Sequence, residues 1–475
     1  MLEKRDFYIN GQWVAPAMPN DFAVIDPSTE EQCAVISLGG QADTDAAVAA
    51  ARAAFEGWSQ TSKEERTALL RRLLEIYNAR SEEMAQAMSM EMGAPMALSR
   101  AQQVGAGSWH LEGFLNAFEH FSFERDFTST EKTLLEPIGV CALITPWNWP
   151  MNQIVLKAVP ALATGCTMVL KPSEIAPLSG LLFAEFVHEA GFPAGVFNMV
   201  NGDGVGVGSQ LSAHPEVDMV SFTGSTRAGI AISKAAADTL KRVSLELGGK
   251  GANIIFEDAH PKAAKSGAVR CFRNTGQSCN APTRMLVHKS RYDEAVEMAA
   301  DVAINTHVGP ASEEGKHIGP VVSEAQFNKI QKLIETGMGE ARLVAGGLGR
   351  PDGLNRGYFV KPTVFADVTN QMTIAREEIF GPVLSIIPFE SDEEAIAIAN
   401  DTPYGLTNYI QTEDDEKRRS VARRLRSGMV ETNGQGFAQG SPFGGYKQSG
   451  NGREGGTFGL EEFLEVKAVS GWAAE

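Results

Sequence analysis

Cysteine is scarce in this chain of 475 residues: there are five, Cys33, Cys141, Cys166, Cys271 and Cys279. They are odd in number, scattered and never spaced C-x-x-C. That excludes a disulfide framework and a thiolate zinc cluster, and it suits a reducing compartment. The eight histidines form no H-E-x-x-H or related spacing, so no metal is expected. Long hydrophobic runs are missing too; "PIGVCALITPW" falls well short of the ~18 apolar residues of a membrane span. The first residues, "MLEKRDFYING", hold no apolar h-region and no small-residue cleavage site, so a cytoplasmic protein without a secretory signal is expected. Positive charge is in deficit, with 42 Lys and Arg against 59 Asp and Glu and a net charge of −17. That disfavours nucleic acid and anionic membrane as partners. The basic run "EKRRSVARRLRSG" (416–428) is broken by Val421 and Leu425, the pattern of an amphipathic helix with a solvated face.

What remains is an ordinary globular composition, 43% hydrophobic and 21% charged, in a chain long enough for two or three domains. "FYINGQWV" reads as a hairpin turned by Asn10-Gly11. "DTDAAVAAARAAFEGW" reads as a helix with Asp43 or Asp45 at its start, and "SKEERTALLRRLLEIYNARSEEMAQAMSME" as a single second helix ending before Gly93. "FERDFTSTEKTLLEPIG" reads as an extended excursion. From residue 136, short β-branched runs ("GVCALI", "CTMVLK", "VFNMV", "MVSFTG", "ANIIFE") alternate with helical stretches such as "LSGLLFAEFVHEAG". This predicts βαβ units and a doubly wound parallel sheet. A second alternating block follows over about 265–445, and the tail "GLEEFLEVKAVSGW" reads as a late strand.

Chemistry concentrates in a few segments. "NTGQSCNAPTR" (274–284) sets Cys279 among turn formers, where a lone cysteine is ordinarily just a small apolar residue. "ITPWNWP" fixes Asn148 in a rigid turn after a strand. "MVLKPSEIAPLS" ends a strand with Lys171, Pro172 and Glu174. "SFTGSTRAGIAIS" is a strand, a Gly-Ser turn and a helix start. "SLELGGKGANIIF" puts Glu246 before two glycines, where backbone can approach a ligand closely. "NGDGVGVGS" does not match the spaced G-x-G-x-x-G fingerprint, since its glycines fall at 202, 204, 206 and 208.

Together with "EEIFGP" (377–382) and "SPFGGYKQSGNGRE" (441–454), these segments resemble, in order and separation, the NAD(P)-dependent aldehyde dehydrogenase superfamily, in its hydrolytic, non-CoA-acylating branch. The resemblance runs from "YINGQWV" to "EVKAV". It implies oxidation of an aldehyde to an acid through a thiohemiacetal and then a thioester on Cys279. The oxyanion would rest on the Asn148 amide and the Cys279 N–H, and Glu246 would activate the hydrolytic water. Lys157 and Glu454 would either relay protons to Glu246 or form a plain buried ion pair. NAD is the implied cofactor, with NADP possible, since the Glu174 carboxylate would repel a 2′-phosphate. The residues implied to hold it are Ile144, Thr145, Trp147, Lys171, Ser173, Glu174, Gly204, Gly208, Phe222, Gly224, Ser225, Leu247, Gly248, Glu378 and Phe380. In this reading the pyrophosphate takes free N–H groups at Gly224 and Ser225.

Trp149, Leu156, Ser278 and Phe437 are the expected pocket walls, and a neutral, largely apolar aldehyde the expected substrate. Relatives taking succinic semialdehyde commonly carry Arg where this chain has Leu156; Arg284 matches relatives of varied specificity. A CoA-acylating enzyme and a non-catalytic structural relative are the alternatives, and the presence of Glu246, Cys279 and Asn148 disfavours both.

The expected fold is α/β: a variant Rossmann cofactor domain over 1–118 and 138–248, and an α/β catalytic domain over 249–448. A small β oligomerisation element would comprise 119–137 and 449–475. An exposed "FLEVKAV" strand needs a partner, which predicts a homo-oligomer, a dimer or a homotetramer built as a dimer of dimers.

Overall fold

The computed structural model describes residues 1–472; residues 473–475, the end of the expected 449–475 element, lie outside the described residues. Two large sheets organise the chain. In the first, eight strands follow the order Gly450–Asn451, Arg242–Glu246, Met219–Thr223, Val140–Ile144, Thr167–Lys171, Phe197–Met199, Phe7–Ile9, Gln12–Val14. Its five middle strands are parallel. Strands such as Val140–Ile144 and Thr167–Lys171 are buried along their whole length. Their near-continuous apolar runs are what helices covering both faces require. The turn between Phe7–Ile9 and Gln12–Val14 is the expected Asn-Gly hairpin, with both central residues at positive φ (52° and 76°).

The second sheet has seven strands, ordered Arg342–Ala345, Thr363–Ala366, Val383–Phe389, Arg284–His288, Ala252–Ile255, Thr407–Gln411, Met429–Thr432. All neighbours pair parallel except the first two. Each large sheet lies within its own apolar clusters. Two small sheets flank them. One joins Leu2–Lys4, Glu31–Ser37 and Asp21–Asp26; the other joins Leu464–Ser470, Glu131–Pro137 and Glu124–Asp126. The tail therefore is a strand, paired antiparallel from Leu464 opposite Pro137 to Ser470 opposite Glu131. Gly450–Asn451, which sequence grouped with that tail, instead extends the edge of the eight-stranded sheet.

One helix is two. The stretch expected to run unbroken to Gly93 is divided into Lys63–Ala79 and Ser81–Met92, with Arg80 between them at φ −105°, ψ 22°. Arg80 leaves helical geometry and spreads its guanidinium over Glu83, Glu185 and Glu189. A one-residue break hardly disturbs the three-and-four spacing of apolar residues, so periodicity carried straight through it. Gly93 does end the second helix, in the left-handed conformation.

Candidate active site

Four neighbouring parallel strands of the first sheet end on one edge, at Ile144, Lys171, Thr223 and Glu246. Their registers set Ile144 opposite Lys171 and Thr223 opposite Glu246. Carboxyl ends of parallel strands are where open α/β sheets place their ligands, because the loops there are free to vary. From Ile144 the chain runs through Pro146 and Trp147 to Asn148, and Pro150 then starts the helix Pro150–Thr164. A cavity of about 240 Å³ opens at this edge. Its walls include Trp147, Asn148, Glu246 and Cys279, together with Gly248 and Glu378.

Asn148 is 4% exposed and its carboxamide is held: Nδ2 donates to the Gln277 carbonyl at 3.0 Å. A carboxamide has two N–H donors, so one stays free. Its backbone carbonyl accepts from Gln103 Nε2 at 3.1 Å and from Asn274 Nδ2 at 3.0 Å. The loop carrying Cys279 is bent by three successive left-handed residues, Asn274, Thr275 and Gly276. A Cβ at Gly276 would lie 2.0 Å from the Gly381 carbonyl, so only glycine fits there. Gln277, fully buried, spans the loop by donating to the Asn274 carbonyl and accepting from the Val322 N–H. Trp149 Nε1 donates to Ser278 Oγ at 2.8 Å, tying the two loops together beside the sulfur.

Electrostatics set the resting state. Burial pushes the Cys279 thiol well above its ordinary range, and the Glu378 and Glu246 carboxylates add to this, while the Asn280 N–H acts against it. The thiol is therefore protonated at rest and needs a base. Burial, then the charge of Glu454, holds the Glu246 carboxyl far above the usual carboxylate range. Both Glu246 carboxylate oxygens are buried without a hydrogen-bond partner. The raised value keeps the carboxyl neutral at rest and makes its deprotonated form a stronger base. A Cβ at Gly444 would lie 2.7 Å from Glu246 Oε1, and one at Gly249 would lie 2.4 Å from the Cys279 carbonyl. These glycines let backbone close on both groups.

The sequence profile of the aldehyde dehydrogenase family matches residues 13–469. A 3-succinoylsemialdehyde-pyridine dehydrogenase of a Pseudomonas species is 53% identical over 99% of both chains. A crystal structure of aldehyde dehydrogenase from Bartonella henselae superposes with a TM-score of 0.99 at 58% identity, covering 99% of this chain and 100% of that one. A mutant of aldehyde dehydrogenase C (AldC) from Pseudomonas syringae, complexed with NAD+ and octanal, gives 0.98 at 50% identity, covering 99% and 97%. The chain belongs to the aldehyde dehydrogenase family.

The residues expected to hold the cofactor lie around the same strand ends. Glu378 Oε1 accepts from the Gly249 N–H at 2.9 Å, and a Cβ at Gly248 would come 2.3 Å from its other oxygen. Phe380 packs edge-on against Trp147 with centroids 5.4 Å apart. Lys171 Nζ donates to the Gly202 carbonyl at 2.6 Å and lies 3.5 Å from Glu174, whose carboxylate is partly open to solvent. Ser173 Oγ accepts from the Ile175 N–H, and Gly208 packs beside the Lys171 side chain, whereas Gly204 faces open space. Thr145 and Thr223 each hold a buried hydroxyl without a partner, polar capacity at the strand ends that a nucleotide can fill. Ile144, Phe222 and Leu247 are buried beside them.

Several expectations need correction. The Gly224 N–H is not free, since it donates to the Glu246 carbonyl at 3.0 Å. Ser225 stays in the cavity wall, and its Oγ, not its N–H, is taken up in capping the helix Thr226–Ala236. Leu156 is 2% exposed within the apolar cluster of the first sheet and does not line the cavity, and Phe437 lies 42% exposed at the surface. Arg284 is fully buried, its guanidinium spent on the carbonyls of Lys250, Ile398 and Ala399 and on Asn370, which leaves nothing for a substrate. Lys157 and Glu454 do form a buried pair at 2.5 Å.

Sequence reading missed Gln326 and Lys329 on the helix Glu324–Glu340. Both line the cavity. Gln326 bonds the carbonyls of Ile379 and Phe380, and Lys329 that of Glu378. A single polar residue on an amphipathic helix gives no signal of such a role. Among the described residues no group of metal-ligating side chains is found, and no helix is long and apolar enough to cross a membrane.

Proposed function

We propose that this aldehyde dehydrogenase oxidises a neutral, largely apolar aldehyde to its acid with NAD, through a covalent adduct on Cys279 that Glu246 helps water to hydrolyse. One observation carries the reading: the thiol, a braced carboxamide and an unpartnered buried carboxyl share one cavity with the Gly248–Glu378 wall. Glu246 takes the thiol proton and releases it to solvent, a transfer that water can make in its absence, and Sγ attacks the carbonyl carbon. The free Asn148 N–H and the Cys279 amide receive the oxyanion, whose charge they stabilise without having to reorient. NAD, when bound, supplies the hydride acceptor. Cys279 is left as a thioester, and Glu246 takes a proton from water so that hydroxide attacks and Sγ departs with the acid released. Glu378 and Phe380 would hold the nicotinamide end and Glu174 with Lys171 the adenosine ribose.

The substrate class is supported by Arg284 being fully engaged elsewhere. It also accords with the relative named for a pyridine semialdehyde and with the one crystallised with octanal. The test is NADH absorbance after mixing enzyme and NAD with octanal, benzaldehyde or succinic semialdehyde. The first two are expected to be oxidised faster, with Cys279→Ser silent in all three; preference for the carboxylated aldehyde would overturn the substrate assignment. A homo-oligomer is part of the same reading, because the edge strand Leu464–Ser470 exposes Val466 at 69% and the other edge of the same small sheet runs into Phe127, exposed at 73%.

A further inference from the structure

The residue after the nucleophile is gripped from behind. Tyr409 lies on the strand Thr407–Gln411, 2% exposed, and its hydroxyl donates to the carbonyl of Asn280. The neighbouring strand sets Glu431 directly opposite Tyr409. Arg270, from the helix Ala263–Phe272, stacks its guanidinium 4.5 Å from the centre of the Tyr409 ring and forms a double hydrogen bond with Glu431. Glu431 is 3% exposed while the Arg270 side chain is about one-third exposed, and the double hydrogen bond holds the cation over the ring.

Behind the ring there is space. A second cavity of about 240 Å³ is lined there by Asn253, Arg270, Pro282, Tyr409 and Gln411. The hydrogen bond from the hydroxyl to the Asn280 carbonyl is therefore one of the contacts that hold the ring in place. On its other side Asn280 turns its own N–H toward the Cys279 sulfur.

We propose that Tyr409 is a positioning residue for the nucleophile. Its hydroxyl, with the ring held by Arg270 and Glu431, clamps the Asn280 carbonyl and so fixes the turn that aims Sγ and the Cys279 amide. The proposal rests on the reading of Cys279 as the nucleophile. Neither Tyr409, Arg270 nor Glu431 lines the catalytic cavity, so their effect is expected on the aim and ionisation of the thiol rather than on cofactor binding. The charged groups acting on that thiol, Glu378, Glu246 and Glu454, are not among the partners of Tyr409, which are Asn280, Arg270 and Glu431.

The test is the rate of Cys279 alkylation by iodoacetamide against pH in the full-length enzyme, with NAD binding and steady-state turnover measured alongside. Tyr409→Phe keeps the ring and its stacking and removes one hydrogen bond. It is expected to slow alkylation near neutral pH by about fivefold, the worth of one ordinary hydrogen bond, to move the profile to higher pH and to lower kcat in proportion. Binding of NAD is expected to be unchanged. Arg270→Met, which leaves the hydroxyl in place, is expected to give the same displacement in smaller measure, and it decides the matter if Tyr409→Phe fails to bind NAD. Profiles coinciding with the unaltered enzyme in the deciding variant would overturn the role of Tyr409. If Cys279→Ala still oxidised aldehydes, the nucleophile assignment itself would fail, a different outcome.

Discussion

At Glu246 the environment and the task point the same way. Burial and the Glu454 charge raise its pKa, so the neutral form persists above the usual carboxylate range. The form that accepts a proton from water is the deprotonated one. Turnover limited by hydrolysis is thus expected to rise with pH through this raised pKa and to level off above it, and Glu246→Gln should abolish that rise. Its thioester hydrolysis should slow by about 10²–10⁴, the usual worth of a positioned base. Asn148→Ala is expected to cost about 10²–10³ in kcat, as for other oxyanion donors. Stopped-flow NADH formation separates the two variants, because Glu246→Gln should retain a first-turnover burst and Asn148→Ala should lose it. Cys279, Asn148 and Glu246 were legible in sequence because the motifs that carry them resemble, in order and separation, those of one family; each alone reads as an ordinary turn or strand-end residue. Gln103 and Asn274 were not legible. Their amides reach the Asn148 carbonyl only after segments 45 and 126 residues apart are brought together.

Among the elements, the strand ends matter most. Parallel strands buried on both faces read as short apolar runs, so the sheet that lines up Ile144, Lys171, Thr223 and Glu246 was foreseeable, though its strand order was not. Strand order depends on pairing between distant segments, which no local pattern encodes. The loop leaving Glu246 makes a sharper prediction. A methyl at residue 248 would meet the Glu378 carboxylate at 2.3 Å, displacing the group assigned to the nicotinamide ribose. Gly248→Ala should therefore weaken NAD binding in a fluorescence titration while leaving iodoacetamide labelling of Cys279 intact. Equal NAD affinity would remove Glu378 from the cofactor site. The split at Arg80 marks the limit of periodicity from the other side, since a residue that spreads across three glutamates can interrupt a helix without altering its apolar stripe.

Across the whole molecule, the tail returns to the sheet that carries the base. Leu464–Ser470 pairs with Glu131–Pro137, Arg242 donates to the Glu462 and Leu464 carbonyls, and the Cys166 sulfur bonds the Phe463 carbonyl. Removing residues 464–475 should leave the two large sheets intact but expose an unpaired Glu131–Pro137 edge, giving monomers or aggregates in sedimentation. Retention of the native assembly would show that the small sheet takes no part in it. The alternation in the tail announced a strand; its partner, more than three hundred residues earlier in the chain, was not announced.

The central claim is that the aldehyde passes through a covalent adduct on Cys279 that Glu246 clears. Mass spectrometry of the Glu246→Gln enzyme, quenched in acid shortly after mixing with NAD and octanal, tests it most directly. An acyl increment on the peptide carrying Cys279, formed together with one NADH per site, is the predicted result. Turnover continuing at the unaltered rate with that peptide unmodified would contradict the account.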